Sequence, residues 1–237
     1  VPASNAEAPA VLQILPSLET GGVERGAVDI AAALTAAGWR AVVASSGGSM
    51  AHEIERVGGT HITLPVDSKN PLIMRKNIRA IANVIRTHNI SIVHARSRAP
   101  AWSTRSAAQR CSVPFMTTFH GTYNFSNPVK KAYNAIMTKG ERIIAISEFI
   151  GRHIEENYGV AREKIRVIPR GVDTENFKPD AVSPERMIQL SQAWRLPDDA
   201  LVIMLPGRLT RWKGQSVLIE AARRLERDNV RVLLVGD

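Results

Sequence analysis

The stretch Leu201-Val202-Ile203-Met204-Leu205-Pro206-Gly207-Arg208-Leu209-Thr210-Arg211-Trp212-Lys213-Gly214 decides the fold class, because an apolar run enters a glycine turn and leaves it as a helical pattern from Gln215 to Arg227. A short apolar run closed by Pro and Gly reads as a buried strand, and the spacing beyond the turn reads as a helix. A strand, a glycine turn and a helix start together make an anion site. Glycine lets an anion approach the backbone, the helix N-terminus points N–H groups outward, and Arg208 and Lys213 add full charge. That combination suits a diphosphate; the plainer alternative is a solvated basic turn.

The same alternation runs through the chain upstream. Apolar runs at Val11–Leu15, Arg40–Ala44, His61–Leu64, Ile90–His94, Phe115–Phe119, Arg142–Ile146 and Ile165–Ile168 read as strands. Between them lie helical patterns at Val23–Ala37, Ala51–Val57, Pro71–His88, Ala101–Arg110, Val129–Lys139 and Glu148–Tyr158. Strands apolar almost throughout, alternating with helices, imply an α/β fold with a doubly wound parallel sheet covered on both faces. A polar, Pro-containing segment from Thr174 to Asp199 breaks the rhythm before a second βαβ unit that ends at Leu233–Asp237. The reading therefore gives a Rossmann-like domain over residues 1–175, a linker over 176–200 and the beginning of a second Rossmann-like domain over 201–237. One helix and one further strand cannot cover both faces of a sheet, so that second domain reads as truncated.

The 237 residues are 44% hydrophobic, enough for a sizeable core. No run approaches the roughly 20 apolar residues that span a bilayer, and Val1–Ala10 lacks the charged start of a signal peptide. With the single Cys111, read as a small buried hydrophobe, this points to the cytoplasm. The charge is unevenly placed. Residues 68–140 contain no Asp or Glu but twelve basic residues: Lys69, Arg75, Lys76, Arg79, Arg86, Arg96, Arg98, Arg105, Arg110, Lys130, Lys131 and Lys139. The net +9 of the chain is thus a +12 block set in a slightly acidic remainder. Such a block meets an anionic membrane surface or an acidic or phosphorylated substrate, or is a solvated face. Nucleic acid is disfavoured, since no recognition-helix, zinc or aromatic ribonucleoprotein signature accompanies the charge.

Several loops carry candidate chemistry. Ser17-Leu18-Glu19-Thr20-Gly21-Gly22-Val23-Glu24 follows the first strand and opens a helix, so Gly21 and Gly22 are either a second phosphate cradle or a tight turn. The G-x-G-x-x-G spacing is missing, which argues against a nicotinamide or flavin cofactor. His120 follows Phe115–Phe119 and precedes Gly121, at the carboxyl end of a strand, where open α/β sheets bind ligands; an imidazole there can hydrogen-bond a hydroxyl or transfer a proton. His94, with Arg96 and Arg98, reads as an anion-binding rim. In Ile168-Pro169-Arg170-Gly171-Val172-Asp173, Arg170, Gly171 and Asp173 line a cleft or form a simple exit loop with Asp173 capping a turn. Ser147 reads as an N-cap. No metal-ligand spacing and no G-x-S-x-G nucleophile elbow is present.

Taken together, Gly21-Gly22-Val23-Glu24, Thr118-Phe119-His120-Gly121, Ile146-Ser147-Glu148, the Ile168–Asp173 segment with Phe177, and Gly207-Arg208 with Lys213-Gly214 resemble glycosyltransferase family 4 over Leu12–Asp237. The resemblance implies a GT-B architecture of two facing Rossmann-like domains. It also implies transfer of a sugar, with retention and without a metal, from a nucleotide-diphospho-sugar such as a UDP- or GDP-sugar. The acceptor would be a glycan or a lipid-linked molecule, as in lipopolysaccharide, polysaccharide or glycolipid synthesis, and the activity of hexosyltransferase type. By the same resemblance Arg208 and Lys213 hold the donor diphosphate with Gly207, Gly22 admits the nucleotide phosphates beside Gly21, and His120 contacts the transferred sugar. The family's Glu-x(7)-Glu motif is expected beyond Asp237, so the 237 residues alone are expected to be inactive. With the basic block, the resemblance places the protein in the cytoplasm, peripheral at the inner face of the plasma membrane. The competing class is a non-catalytic GT-B-like module that binds an acidic glycan or polymer. An epimerase-like reading is weakened by the lack of G-x-x-G-x-x-G and Tyr-x-x-x-Lys patterns.

Overall fold

The computed structural model describes residues 8–123 and 125–236. Contacts divide the chain into two compact units at Arg170–Gly171, a few residues before the 175 boundary read from the sequence.

The first unit alternates strand and helix. It runs β1 (Ala10–Ile14), α1 (Gly22–Ala36), β2 (Arg40–Ser45), α2 (Ala51–Arg56), β3 (Thr60–Thr63), α3 (Pro71–Thr87) and β4 (Ile92–Ala95). It continues through α4 (Arg98–Cys111), β5 (Phe115–Phe119), α5 (Pro128–Asn134), β6 (Arg142–Ala145), α6 (Glu148–Tyr158) and β7 (Ile165–Val167). The strands form one seven-stranded parallel sheet in the order β3-β2-β1-β4-β5-β6-β7. Period-two alternation assigns its faces. Leu12 and Ile14 on β1, with Val42 and Ala44 on β2, enter the larger core with α3 residues Ile81, Ala82 and Ile85. Leu15, Ala41 and Val43 pack on the opposite face with Ala27, Val28 and Ala31 of α1 and Ile54 of α2. Both faces are covered, and all five residues of β1 are buried.

Local sequence fixes the helix starts. Asn70 and Asn127 each accept a backbone N–H into the side-chain carbonyl, and each precedes a proline at the first helical position, where the missing N–H costs nothing. Ser147 caps α6 by accepting from the Ile150 N–H at 3.3 Å, the N-cap role read from its position. The strand order reverses between β1 and β4, so the loops leaving these neighbours diverge and open a crevice at their carboxyl ends.

The second unit contains α7 (Pro184–Ala193), β8 (Leu201–Pro206), α8 (Gln215–Arg223) and β9 (Val230–Val235), with β8 and β9 parallel. Five expectations change, the first being that α8 ends at Arg223, short of the expected Arg227. The helix after β4 begins at Arg98, three residues early, because the turn after Ser97 already closes onto the Ala101 N–H. The pattern at 129–139 is α5 followed by a 3-10 turn, Ala135–Thr138. The polar linker holds α7, whose Ser183 cap and Pro184 start are the same device as in α3. β9 starts at Val230, ahead of the expected Leu233, and Asp237 lies outside the described residues, as does Val1–Glu7 of the N-terminal stretch. Among the described residues no helix is long and apolar enough to cross a membrane.

Candidate functional site

Three loops of the first unit meet at the carboxyl edge of its sheet. The β1–α1 loop brings Gly21 and Gly22, the residue after β4 is Arg96, and the residue after β5 is His120. Arg170, beyond β7, joins them. One terminal nitrogen of its guanidinium donates to the Gly22 carbonyl, and the other donates to His120 Nδ1 at 2.7 Å. Guanidinium nitrogens only donate, so His120 Nδ1 accepts and the proton of the neutral ring sits on Nε2. Nε2 is itself buried with no hydrogen-bond partner among the described residues. Burial first, then the charges of Arg96 and Arg170, push the imidazole down to about 3. At neutral pH His120 is an uncharged acceptor locked onto a cation.

Gly22 is small for a physical reason: a Cβ there would come within 2.6 Å of Arg170 Nη1. At Gly21 a Cβ would run into the Glu24 carboxylate, which folds back over the loop. Neither glycine is held in the left-handed region, so room, not backbone freedom, selects them.

His94 and Arg96 do not form an exposed rim; each is only 3% exposed. His94 Nε2 lies 2.7 Å from the Thr118 hydroxyl, and burial holds its pKa well below the usual histidine range, with Arg96 and His120 adding to the effect. Arg96 runs under α1. Its Nη1 donates to Gln13 Oε1 at 3.0 Å and its Nη2 to the Val23 carbonyl at 3.3 Å, while Gln13 Nε2 donates to the Ala27 carbonyl. Gln13 on β1 and Arg96, just past the end of neighbouring β4, thus clamp the first turns of α1 to the sheet. Among the described residues no carboxylate comes within ion-pair distance of Arg96, and its Nε has no partner. Burial, with the Arg170 charge adding to it, lowers its pKa to about 10, while Glu24 and Asp29 act the other way. Arg98 is also committed locally: it donates to Asn134 Oδ1 at 2.9 Å and lies 4.4 Å from the centre of the Tyr123 ring.

In the second unit, Asp173 caps its own turn, accepting from the Glu175 and Asn176 amides at 3.0 Å and from the Asn176 side chain. Those bonds, the Asn176 amide foremost, lower its pKa. Neighbouring Gly171 is exposed. Gly207 leaves β8 with φ +147, and Gly214, at φ +84, stands at the start of α8, whose N-terminus no side chain caps. The stem of Lys213 passes over Gly207, and its ammonium lies 4.5 Å from the centre of the Trp212 ring. Arg208 and Lys213 are exposed, and among the described residues neither has a carboxylate partner. Two unneutralised cations therefore flank an uncapped helix start.

The family model described as Glycosyltransferase Family 4 matches residues 20–176, two thirds of the chain and most of the crevice just described. The chain belongs to glycosyltransferase family 4. Among curated members it is 32% identical over 135 residues to a D-inositol 3-phosphate glycosyltransferase of Nocardiopsis dassonvillei, covering 52% of this chain and 30% of that protein. It is 28% identical over 152 residues to the Acidothermus cellulolyticus protein of the same name, covering 56% and 32%. A solved glycosyltransferase from Rickettsia africae superposes with a TM-score of 0.86 at 40% identity, covering 97% of this chain and 61% of that one. Anabaena HepE, solved with UDP and glucose, superposes with a TM-score of 0.80 at 20% identity over 97% and 61%, a likeness of fold. The chain spans about a third of the length of these two curated relatives.

Of the residues singled out in the sequence, the structure brings His120, Arg170 and Gly22 together, and beside them it adds Gln13, which the sequence reading did not single out. A glutamine in the middle of the otherwise apolar β1 was the available signal, since a polar residue on a strand buried on both faces needs a buried partner.

Proposed function

We propose that the protein acts as a glycosyltransferase, moving a sugar from a nucleoside-diphospho-sugar to a glycan or lipid-linked acceptor. The observation that carries this reading is the turn Gly207–Gly214, where unneutralised Arg208 and Lys213 flank the uncapped start of α8. As the glycosidic bond breaks, negative charge grows on the departing diphosphate. Fixed cations and a helix N-terminus stabilise that state more than the ground state. Arg208 and Lys213 are suited to neutralise that charge themselves, and the reaction runs without a metal and with retention at the anomeric carbon. Loss of either side chain removes on the order of 2–4 kcal/mol of transition-state stabilisation. HepE, which bears the same fold, is solved with UDP-glucose, which supports a uridine or related diphosphate donor here.

The acceptor is met by the first unit. Its acid-free segment presents Arg75, Lys76 and Arg79 on the exposed side of α3, beside exposed Leu72, and Lys130 and Lys131 on α5 beside exposed Val129. This mixture of cations and apolar side chains suits an anionic membrane carrying a lipid-linked acceptor, each cation contributing about 1 kcal/mol. Flotation with anionic and neutral vesicles tests it, and equal recovery from both removes the membrane from the account.

The function is tested by screening UDP- and GDP-sugars for binding to this chain, and for nucleoside diphosphate release by the full-length product of its gene. One donor class binds, turnover survives EDTA, and the product keeps the donor's anomeric configuration. Binding of an acidic polymer with no donor bound or consumed would instead establish the non-catalytic module.

A further inference from the structure

His120 faces its surroundings through two nitrogens, and the geometry gives them different fates. Nδ1 receives Arg170 Nη2 at 2.7 Å, and Nε2 is buried without a partner. A general base needs a free lone pair within reach of the substrate, and a general acid needs a proton it can give up near operating pH. The lone pair of His120 is committed to Arg170, and its only proton lies on the inaccessible nitrogen. Arg170, by contrast, is exposed and, among the described residues, has no carboxylate partner. Two neutral acceptors, the Gly22 carbonyl and His120 Nδ1, hold one terminal nitrogen each, and the missing Cβ of Gly22 provides the space.

We propose that His120 is a positioning residue, acting as a hydrogen-bond acceptor that, with the Gly22 carbonyl, aims the Arg170 guanidinium at a phosphate group of the substrate. A guanidinium orients phosphate through paired N–H donors, so fixing two of its five leaves the others turned to a ligand at the crevice. The charged groups facing His120, Arg170 from beyond β7 and Arg96 from the end of β4, both oppose its protonation, and neighbouring His94 on β4 is itself held neutral by burial. Its acceptor role therefore persists through the physiological range. The phosphate rests on the proposed function; the acceptor role of the ring does not.

The experiment is nitrogen-15 NMR of the histidine ring together with titration of inorganic pyrophosphate, followed at the Arg170 Nε–H and His120 resonances. The unsubstituted protein shows a proton on Nε2 and none on Nδ1 from pH 5 to 9, and pyrophosphate moves the Arg170 resonance. His120→Phe, which has no acceptor, and Arg170→Met each weaken pyrophosphate roughly tenfold, the worth of one charge-assisted hydrogen bond. His120→Asn places an amide oxygen near the former Nδ1 and stays within roughly threefold of the unsubstituted protein. A proton on Nδ1, an imidazolium near neutral pH, an Arg170 resonance indifferent to pyrophosphate, or an Asn variant as impaired as the Phe variant would each overturn the proposal. Failure of every nucleotide sugar to bind while these signatures hold would count against the transferase reading alone.

Discussion

Arg96 is a buried cation with only neutral partners, and that makes an unusual double substitution informative. Its guanidinium is 3% exposed, and burial lowers its pKa to about 10, which is about 3 kcal/mol against the charged form. Arg96→Met removes the charge and fills similar space, but leaves Gln13 Oε1 buried without its donor, at about 1–3 kcal/mol. The two effects roughly cancel, so this variant lies within about 1 kcal/mol of the unsubstituted protein. Gln13→Leu alone takes away the acceptor and leaves the charge, which costs about 3–5 kcal/mol. The double variant, apolar at both positions, loses charge and orphan together and is more stable than the unsubstituted protein by about 1–3 kcal/mol. Urea denaturation followed by circular dichroism measures all three, with unchanged m-values required for comparison. A double variant as unstable as Gln13→Leu alone would refute the reasoning, because it would mean that the Gln13–Arg96 pair stabilises the fold rather than serving the crevice above it.

Three further outcomes follow from the same geometry. Gly22→Ala drives its Cβ against Arg170 Nη1; the clash is with the end of a flexible side chain, so stability falls by less than about 1 kcal/mol while the His120 ring resonances shift as Arg170 leaves. Acidification destabilises the first unit. His120 has its folded pKa depressed to about 3 against about 6.5 when unfolded, so the folded protein binds fewer protons between these values and its stability, complete above about 6.5, declines toward 3. By pH 5 the loss from His120 is up to about 2 kcal/mol, with buried His94 adding in the same direction, and denaturation midpoints at pH 7.5 and 5 measure it. Ser147→Ala removes the α6 cap and lowers stability by about 1 kcal/mol in the same assay, whereas Ser147→Asn, which keeps an acceptor, loses much less.

The strands were legible because burial on both faces leaves an apolar run, and Phe115–Phe119 matches β5 residue for residue. Helix starts were legible where a cap is written locally, as at Ser147. The same grammar at Ser183-Pro184 was present, but lay hidden in a segment whose polarity read as linker. The site was legible by position only. His120 follows a strand and Arg170 a later one, yet their contact joins residues 50 apart, and no local pattern encodes it. His94 and Arg96 were placed on a surface because charge usually is. What buries them is the acceptor set across β1 and β5, Gln13 and Thr118, which becomes visible only once β4 is known to lie between those strands.

Calorimetric titration of the chain with UDP and GDP, beside uridine and guanosine, at low and moderate salt puts the diphosphate reading to its plainest trial. The account predicts that the diphosphates bind, that affinity falls with added salt, and that Lys213→Ala and Arg208→Ala each weaken it, while the nucleosides bind feebly or not at all. Nucleosides that bind as tightly as their diphosphates, with no response to salt or to either substitution, would contradict it.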